Sequence, residues 1–313
     1  MIPLEQLPAR IEISGASEAE RGVIARHLVI CILLCLLPII LAWDSMRAVL
    51  ALVLENDTYT HIPLIPAIST FLIYVNRRAT FSRISFNWTN GLILLLPGAI
   101  AIISARLNTF QLRPSNQMSL IFLGLVIMWV GAFAQSWGTT ALMAARFPLL
   151  FLIFMIPIPE PLLSKVVLLL QEWSADATAG FFSLFGIPFL RDHLVFSLPG
   201  IAIRVAEECS GIRSTLALMI MMVLASHLFL KTTWKQFVVC LLVLPLSIIK
   251  NGLRIATLST LAVYVDQDFL TGPIHHEFGG MLFFGAAFIP LVLVFRYFQK
   301  TERKSPAVRD HAS

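Results

Sequence analysis

Long, nearly uncharged apolar runs recur along this sequence and constrain its fold more than any other feature. Each run is continuous rather than alternating, which is typical of membrane-spanning helices and not of the ~10-residue alternating strands of a membrane β-barrel. Of the 313 residues, 58% are hydrophobic and only 13% are charged. Soluble domains carry roughly 25% charged residues, so this composition excludes a soluble enzyme, a disordered chain and a secreted disulfide scaffold. We expect an all-α polytopic membrane protein.

About eight runs have the length and apolarity of transmembrane helices. They lie at residues 28–46, 60–75, 90–106, 117–135, 141–158, 212–230, 236–256 and 278–296. Pro63 and Pro66 interrupt the second run, which favours a bent or partly re-entrant helix. We therefore divide the chain into a cytoplasmic N-terminal segment (1–27), a transmembrane domain (28–296) and a basic cytoplasmic tail (297–313).

The placement of charged residues orients these helices, because short cytoplasmic loops are enriched in Lys and Arg. With the N-terminus in the cytoplasm, the short outside loops hold only Arg47, Arg106 and Arg113, whereas the inside loops and tail hold Arg77, Arg78, Arg83, Arg146, Lys231, Lys235, Arg296, Lys300, Arg303, Lys304 and Arg309. The acidic residues Asp44, Glu55, Asp57, Asp266, Asp268 and Glu277 then lie outside. An even number of spans returns the tail to the cytoplasm. The sequence predicts an N-in, C-in topology.

The segment 159–211, on the predicted outer face, does not fit a simple succession of spans. Residues 162–185 mix four charged or amide side chains with Leu, Val and Phe, which predicts an amphipathic helix at the membrane interface. A poorer ninth span is the alternative. Beyond Pro188 the apolar residues alternate with polar ones around Pro199-Gly200, which predicts a small β-hairpin.

Three reactive side chains are predicted to meet at the outer face. Cys209 directly precedes the sixth span, and Arg254 lies about 27 Å along the seventh at ~1.5 Å per residue. His275 and His276 directly precede the eighth span. An ionisable residue inside a span is a candidate functional residue, because burying a charge is costly.

These side chains suit nucleophilic catalysis by a thiol. The first turn of a helix favours the thiolate form of Cys209, a histidine can transfer a proton, and an arginine can bind a carbonyl or an oxyanion. The carboxylates of Glu207 and Glu208 oppose ionisation of the thiol. We expect at least one of them to orient a histidine or to pair with Arg254.

The other cysteines read as packing residues of spans, and the four are too scattered for a disulfide framework or a metal site. Two other functions compete with a cysteine mechanism. Glu207-Glu208 followed by Arg213 is similar to the double-glutamate signature of intramembrane CAAX-type endopeptidases, although the spacing differs. A transporter, flippase or polymerase component of exopolysaccharide export is the third reading. The scarcity of ionisable residues beyond Lys250 and Arg254 in the spans, and the lack of a detectable inverted repeat, count against it.

Three stretches together resemble the motifs of the exosortase/archaeosortase family. The stretch from Val205 to Ser214 resembles its cysteine motif, Asn251-Gly252-Leu253-Arg254 its NxxR motif, and His276-Glu277-Phe278-Gly279-Gly280 its HxxxG motif. Two proline-containing stretches, 61–66 and 154–159, are also similar. The resemblance covers most of the chain, from the first span to the eighth.

The resemblance implies a multi-pass protein of the bacterial inner membrane with its active site facing the periplasm. It implies a cysteine protease and transpeptidase that cleaves C-terminal sorting signals of the PEP-CTERM type from exported proteins. The exported proteins are then passed to an acceptor nucleophile. The expected partners are that signal, membrane lipid and an acceptor of unknown identity, with no nucleic acid, metal or organic cofactor.

The motifs also assign roles to residues. Cys209 corresponds to the nucleophile, Arg254 to the oxyanion-binding or substrate-positioning residue, and His276 to the proton-transfer residue. The supporting residues are Glu207, Asn251, His275, Ser210 and Gly211. Because His275 and Gly279 also fit HxxxG, both histidines remain candidates for proton transfer.

Overall fold

Helices make up most of the computed structural model, which describes residues 18–55, 59–81, 88–206, 210–267, 269 and 279–304. The chain divides into two compact units, Met1–Ile158 and Pro159–Ser313, and each is described by itself. The expectation of an all-α polytopic membrane fold with a small antiparallel sheet is confirmed.

The first unit consists of helices of unequal length. They are α1 (Glu18–Leu41), α2 (Trp43–Glu55), α3 (Leu64–Val75), α4 (Arg77–Thr80), α5 (Trp88–Arg106), α6 (Pro114–Ala144) and α7 (Arg146–Phe151), followed by a 3₁₀ turn (Leu152–Met155). The most extensive packing joins α5 to α6. A methyl group added to Gly98 would lie 2.8 Å from the carbonyl oxygen of Gly124, so these two glycines let the helix backbones approach closely.

The helix α2 was not predicted as a separate element. The first predicted span runs continuously over 28–46, whereas α1 ends at Leu41 and a second helix begins at Trp43. The side chain of Arg106 donates hydrogen bonds to the Leu41 carbonyl oxygen at 2.8 Å and to the Asp44 carboxylate at 2.7 Å. These contacts pair polar groups at the junction, where Ala42 alone separates the two helices.

The second unit surrounds a long central helix. Its elements are α8 (Glu160–Leu184), β1 (Leu190–Asp192), β2 (Val195–Leu198), β3 (Ile201–Arg204), α9 (Ile212–Phe229), α10 (Thr233–Tyr264) and α11 (Gly279–Lys304). The predicted hairpin is confirmed as β2 and β3, which pair antiparallel around Pro199-Gly200 with Leu198 opposite Ile201. The alternating run from Leu190 to Leu198, predicted as one strand of that hairpin, is divided by a turn at His193-Leu194 into β1 and β2, which pair antiparallel.

Two hydrophobic clusters hold this unit together. One joins α8, the sheet and α10, and its members are Ala175, Phe182, Phe196, Leu198, Val205, Ile255 and Ala256. The other joins α9, α10 and α11 through Leu218, Met222, Leu230, Val239, Val243, Ala287 and Leu291. Burying a single Phe or Leu side chain contributes roughly 1.5–3 kcal/mol, so both clusters fix the position of α10 firmly.

Within the described residues, five helices are long and apolar enough to cross a membrane: Ile24–Leu41, Pro114–Ala144, Ile212–Phe229, Thr233–Tyr264 and Leu282–Glu302. A sixth results if Arg146–Met155 and Glu160–Leu184 form one broken span. Two shorter apolar helices, Leu64–Val75 and Gly91–Arg106, match the second and third predicted spans. The predicted span 141–158 is instead the end of α6, the short α7 and the 3₁₀ turn. The count of eight spans and the N-in, C-in orientation stay predictions.

Candidate active site

A close contact between α8 and α10 organises the part of the chain that carries the NxxR motif. A methyl group added to Gly252 would lie 2.5 Å from Cβ of Ala177 and 3.0 Å from the backbone nitrogen of Thr178. Only a glycine lets the two helices pack at this distance. The single hydroxyl proton of Thr178 has two acceptors, the Ser174 carbonyl oxygen at 2.7 Å within α8 and the Gly252 carbonyl oxygen at 3.3 Å across the same contact.

Asn251 lies at the centre of this contact. Its side chain is 1% exposed, and its amide nitrogen donates to the hydroxyl oxygen of Ser174 on α8 at 3.0 Å. On its other side, Asn251 packs against the turn that opens α9. A methyl group added to Gly211 would lie 3.2 Å from Cγ of Asn251. Asn251 therefore joins α8, α10 and the beginning of α9.

The turn at Ser210-Gly211 is strongly held. Gly211 adopts the left-handed conformation with φ of 74°, which a side chain would strain. Its carbonyl oxygen accepts hydrogen bonds from the backbone nitrogen of Thr215 at 2.9 Å, from the Thr215 hydroxyl at 2.9 Å and from the Ser214 hydroxyl at 3.0 Å. Ser210, the residue after Cys209 in the sequence, is 2% exposed.

The chain on the other side of the cysteine motif is fixed as well. The backbone nitrogen of Val205 donates to the Leu194 carbonyl oxygen at 2.9 Å, and the Val205 carbonyl oxygen accepts from the Gln171 side chain at 2.9 Å. Cys209, Glu207 and Glu208 lie outside the described residues, as do His275 and His276. The predicted meeting of thiol, guanidinium and imidazole stays a prediction.

Arg254 lies on the same stretch of α10 as Asn251. Arg254 follows Asn251 by three positions, a rise of about 4.5 Å, so the two side chains project from neighbouring positions on one side of α10. Arg254 is half-buried. Its position is ~32 Å from the start of α10 at Thr233, close to the thickness of the hydrocarbon core of a bilayer.

A groove lies along the C-terminal part of α10, from Ala256 to Tyr264. Its volume is about 460 Å³. The lining residues are Phe185, Gly186, Ile187, Ala256, Thr257, Thr260, Leu261 and Tyr264. Thr257, Leu261 and Tyr264 continue the stripe that Arg254 begins, because they follow it by three, seven and ten residues.

Several residues around this site were not predicted. Ser174 and Thr178 lie four residues apart on the buried face of α8, and two small polar residues on the apolar face of an amphipathic helix are the signal that could have identified them. Lys250 was also not predicted as a site residue, although it directly precedes the NxxR motif. Its ammonium nitrogen lies 2.5 Å from the hydroxyl oxygen of Ser214 on α9, and its residue is 7% exposed.

Among the described residues, no group of three or more His, Cys, Asp or Glu side chains is arranged to hold a metal ion. The absence of a metal from the chemistry stays a prediction, because the two histidines and the cysteine of the motifs lie outside those ranges.

Comparison with known proteins identifies the family. No curated protein and no solved structure matches the chain. The family model described as transmembrane exosortase (Exosortase_EpsH) matches residues 43–293, a range that contains α3 to α10, the three-stranded sheet and all three sequence motifs. This chain belongs to the transmembrane exosortase family.

Proposed function

We propose that this protein is a membrane-embedded cysteine protease and transpeptidase that cleaves C-terminal sorting signals of exported proteins through a thioester at Cys209. The general function of the exosortase family is sorting-signal cleavage and transpeptidation. We further propose Cys209 as the nucleophile, His276 as the proton-transfer residue, and a location in the bacterial inner membrane with the active site facing the periplasm.

One observation carries most weight. The Ser210-Gly211 turn packs directly on Asn251, and Arg254 follows Asn251 by one turn of α10. Cys209 is covalently bonded to Ser210, so their Cα atoms are ~3.8 Å apart. The cysteine and arginine motifs, separated by more than forty residues in the sequence, therefore share one neighbourhood in the fold. This packing supports a joint role for Cys209 and Arg254.

The proposed reaction has two halves. In the first, His276 takes the proton of the Cys209 thiol, the sulfur bonds to the carbonyl carbon of the scissile peptide, and the guanidinium of Arg254 stabilises the oxyanion that forms. The C–N bond then breaks as His276 gives a proton to the leaving amine, which leaves a thioester. In the second half, a nucleophile of the acceptor, or water, attacks the thioester and its proton passes to His276; the C–S bond breaks, and His276 returns the proton to the sulfur of Cys209.

The groove beside Arg254 is a suitable place for the substrate segment next to the scissile bond. Its walls are mainly apolar, with aromatic rings at Phe185 and Tyr264 and hydroxyls at Thr257 and Thr260. Such a mixture buries an apolar side chain and leaves polar groups for the peptide backbone. The apolar helix of the signal would lie in the membrane beside the spans.

Substitution of Cys209 tests the proposal directly. Cys209→Ala and Cys209→Ser should each insert normally and abolish processing of a co-expressed protein that ends in a short motif, an apolar helix and a basic cluster. Cys240→Ala, which removes a half-buried thiol from α10, is the matched control and should process normally. A hydroxylamine-sensitive adduct between substrate and the unsubstituted protein should be absent from Cys209→Ala.

The same assay distinguishes the alternatives. Normal processing by Cys209→Ala would contradict a cysteine mechanism. If Glu207→Gln then abolished processing, that result would favour a glutamate endopeptidase. Loss in His276→Ala with normal processing in His275→Ala assigns the proton transfer to His276, and the reverse result moves it to His275. Arg254→Ala should lose most activity whichever histidine acts.

A further inference from the structure

Lys250 is a buried cation that the proposed mechanism does not use. It lies within the candidate span α10, ~26 Å from the start of that helix, and is 7% exposed. A charged residue in such a position is expensive, and the observed partner of its ammonium group is a neutral hydroxyl, that of Ser214 at 2.5 Å. An apolar side chain of similar length would be less costly there, so packing alone does not account for a lysine.

The contact of Lys250 leads to the cysteine motif through two hydrogen bonds. Lys250 donates to Ser214, and the Ser214 hydroxyl donates to the carbonyl oxygen of Gly211 at 3.0 Å. Gly211 is two residues from Cys209 in the sequence. A charged donor strengthens a hydrogen bond and polarises the next one in the series. The lysine therefore acts on the turn that carries the proposed nucleophile.

Lys250 and Asn251 hold this turn from two sides. The Asn251 side chain packs against Gly211, whereas Lys250 binds Ser214 one turn further along α9. Because the two residues are adjacent on α10, a single helix fixes both the start and the first turn of α9. Orientation of a nucleophile within ~0.5 Å of its productive position requires this kind of support.

We propose that Lys250 is a positioning residue that orients Cys209 through Ser214 and the Gly211 carbonyl. The inference rests on the proposed function, since it assigns to Cys209 the role of nucleophile. Lys250 touches neither the thiol nor the substrate in this role. Its effect is on the rate of thioester formation and not on the binding of the sorting signal.

The experiment compares Lys250→Met, Lys250→Arg, Ser214→Ala and the double variant Lys250→Met/Ser214→Ala in full-length protein purified in detergent. Single-turnover thioester formation with a synthetic sorting-signal peptide gives the acylation rate and KM. Lys165→Met, the same substitution on the exposed side of α8, is the matched control.

We expect Lys250→Met and Ser214→Ala each to slow acylation about 10- to 100-fold with KM within about twofold. The double variant should be no slower than the slower single variant, because both substitutions break the same series of hydrogen bonds. Lys250→Arg, which keeps the charge and the donors, should restore most of the rate. An acylation rate of Lys250→Met within twofold of the unsubstituted protein, or fully additive losses in the double variant, would overturn the proposal. If Lys250→Met fails to insert, Ser214→Ala decides by the same criteria.

A second readout separates this inference from the proposed function. In a chain with Cys31, Cys35 and Cys240 replaced by Ala, iodoacetamide reacts with Cys209 alone. Its rate should change fivefold or more in Lys250→Met and Ser214→Ala and return in Lys250→Arg. An unchanged rate of alkylation of Cys209 would refute the positioning role of Lys250. Normal sorting by Cys209→Ala, with altered alkylation in Lys250→Met, would instead contradict the proposed function and leave the contact between Lys250 and the cysteine turn intact.

Discussion

Replacement of Gly252 by alanine should loosen the contact on which the candidate site is built. The new methyl group would lie 2.5 Å from Cβ of Ala177, 3.0 Å from the nitrogen of Thr178 and 3.1 Å from the carbonyl carbon of Ala177. Two of these three atoms belong to the backbone of α8, so no side chain can turn away. The helices must separate by nearly 1 Å to reach ordinary van der Waals distances.

The free-energy cost follows from the contacts that separation disturbs. Overpacking of a well-packed contact costs about 1–3 kcal/mol. The hydrogen bond from Asn251 to Ser174, at 3.0 Å, would lengthen, and it is worth about 1 kcal/mol, whereas the Thr178 hydroxyl would keep its bond to the Ser174 carbonyl oxygen at 2.7 Å. Alanine regains about 1 kcal/mol of helix propensity. The net loss of unfolding free energy is about 2 kcal/mol.

Denaturant unfolding of the purified protein in detergent measures this loss, and Gly180→Ala is the control. Gly180 lies on α8, and a methyl group there would meet no heavy atom of the described residues within 4 Å. Gly180→Ala should therefore be neutral or stabilising by up to about 1 kcal/mol. Equal stability of Gly252→Ala and the unsubstituted protein, or equal effects of the two substitutions, would refute the close packing of α8 on α10.

Three further substitutions test other contacts. Glu302→Gln should lower the unfolding free energy by about 1–3 kcal/mol in the same assay. The Glu302 carboxylate accepts hydrogen bonds from the backbone nitrogens of Lys231 and Thr232 at 2.8 and 3.0 Å and lies 3.7 Å from the Lys235 ammonium nitrogen. An unchanged unfolding free energy would mean that these contacts contribute nothing. Arg106→Ala should cost less than about 1 kcal/mol, since its ion pair with Asp44 is exposed; a loss above 2 kcal/mol would contradict that reading. Thr257→Trp fills part of the groove and should raise KM for a sorting-signal peptide severalfold with little effect on the acylation rate; an unchanged KM would exclude the groove as a substrate site.

The helices and the hairpin were predictable because local signals specify them. Uninterrupted apolar runs predicted the long helices, and Pro199-Gly200 between alternating runs predicted β2 and β3. The run from Leu190 to Leu198 was predicted as one strand because its residues alternate, and the turn that divides it into β1 and β2 contains no glycine or proline to signal it. His193 takes the left-handed conformation there with φ of 49°, and Arg191 secures the strand by an ion pair to Asp176 at 2.7 Å.

Much of the candidate site depends on contacts that no local pattern reveals. Motif spacing identified Asn251 and Arg254, and helix counting placed Arg254 near the end of its span. The hydrogen-bond partners of Asn251 and Lys250 are distant in the sequence: Ser174 is 77 positions before Asn251, and Ser214 is 36 positions before Lys250. A single sequence predicts that a buried asparagine needs a partner. It does not predict which helix supplies that partner.

The attachment of α8 also bears on how a substrate gains access. A helix that covers a site can serve as a gate only if its open and closed positions differ little in free energy. An outward swing of α8 would break the hydrogen bonds that Gln171 donates to Val205 and that Ser174 accepts from Asn251, and would expose Phe182, which is 0% exposed. The α8 helix therefore does not act as a gate. Its backbone amide hydrogens should exchange with solvent deuterium as slowly as those in the middle of α10.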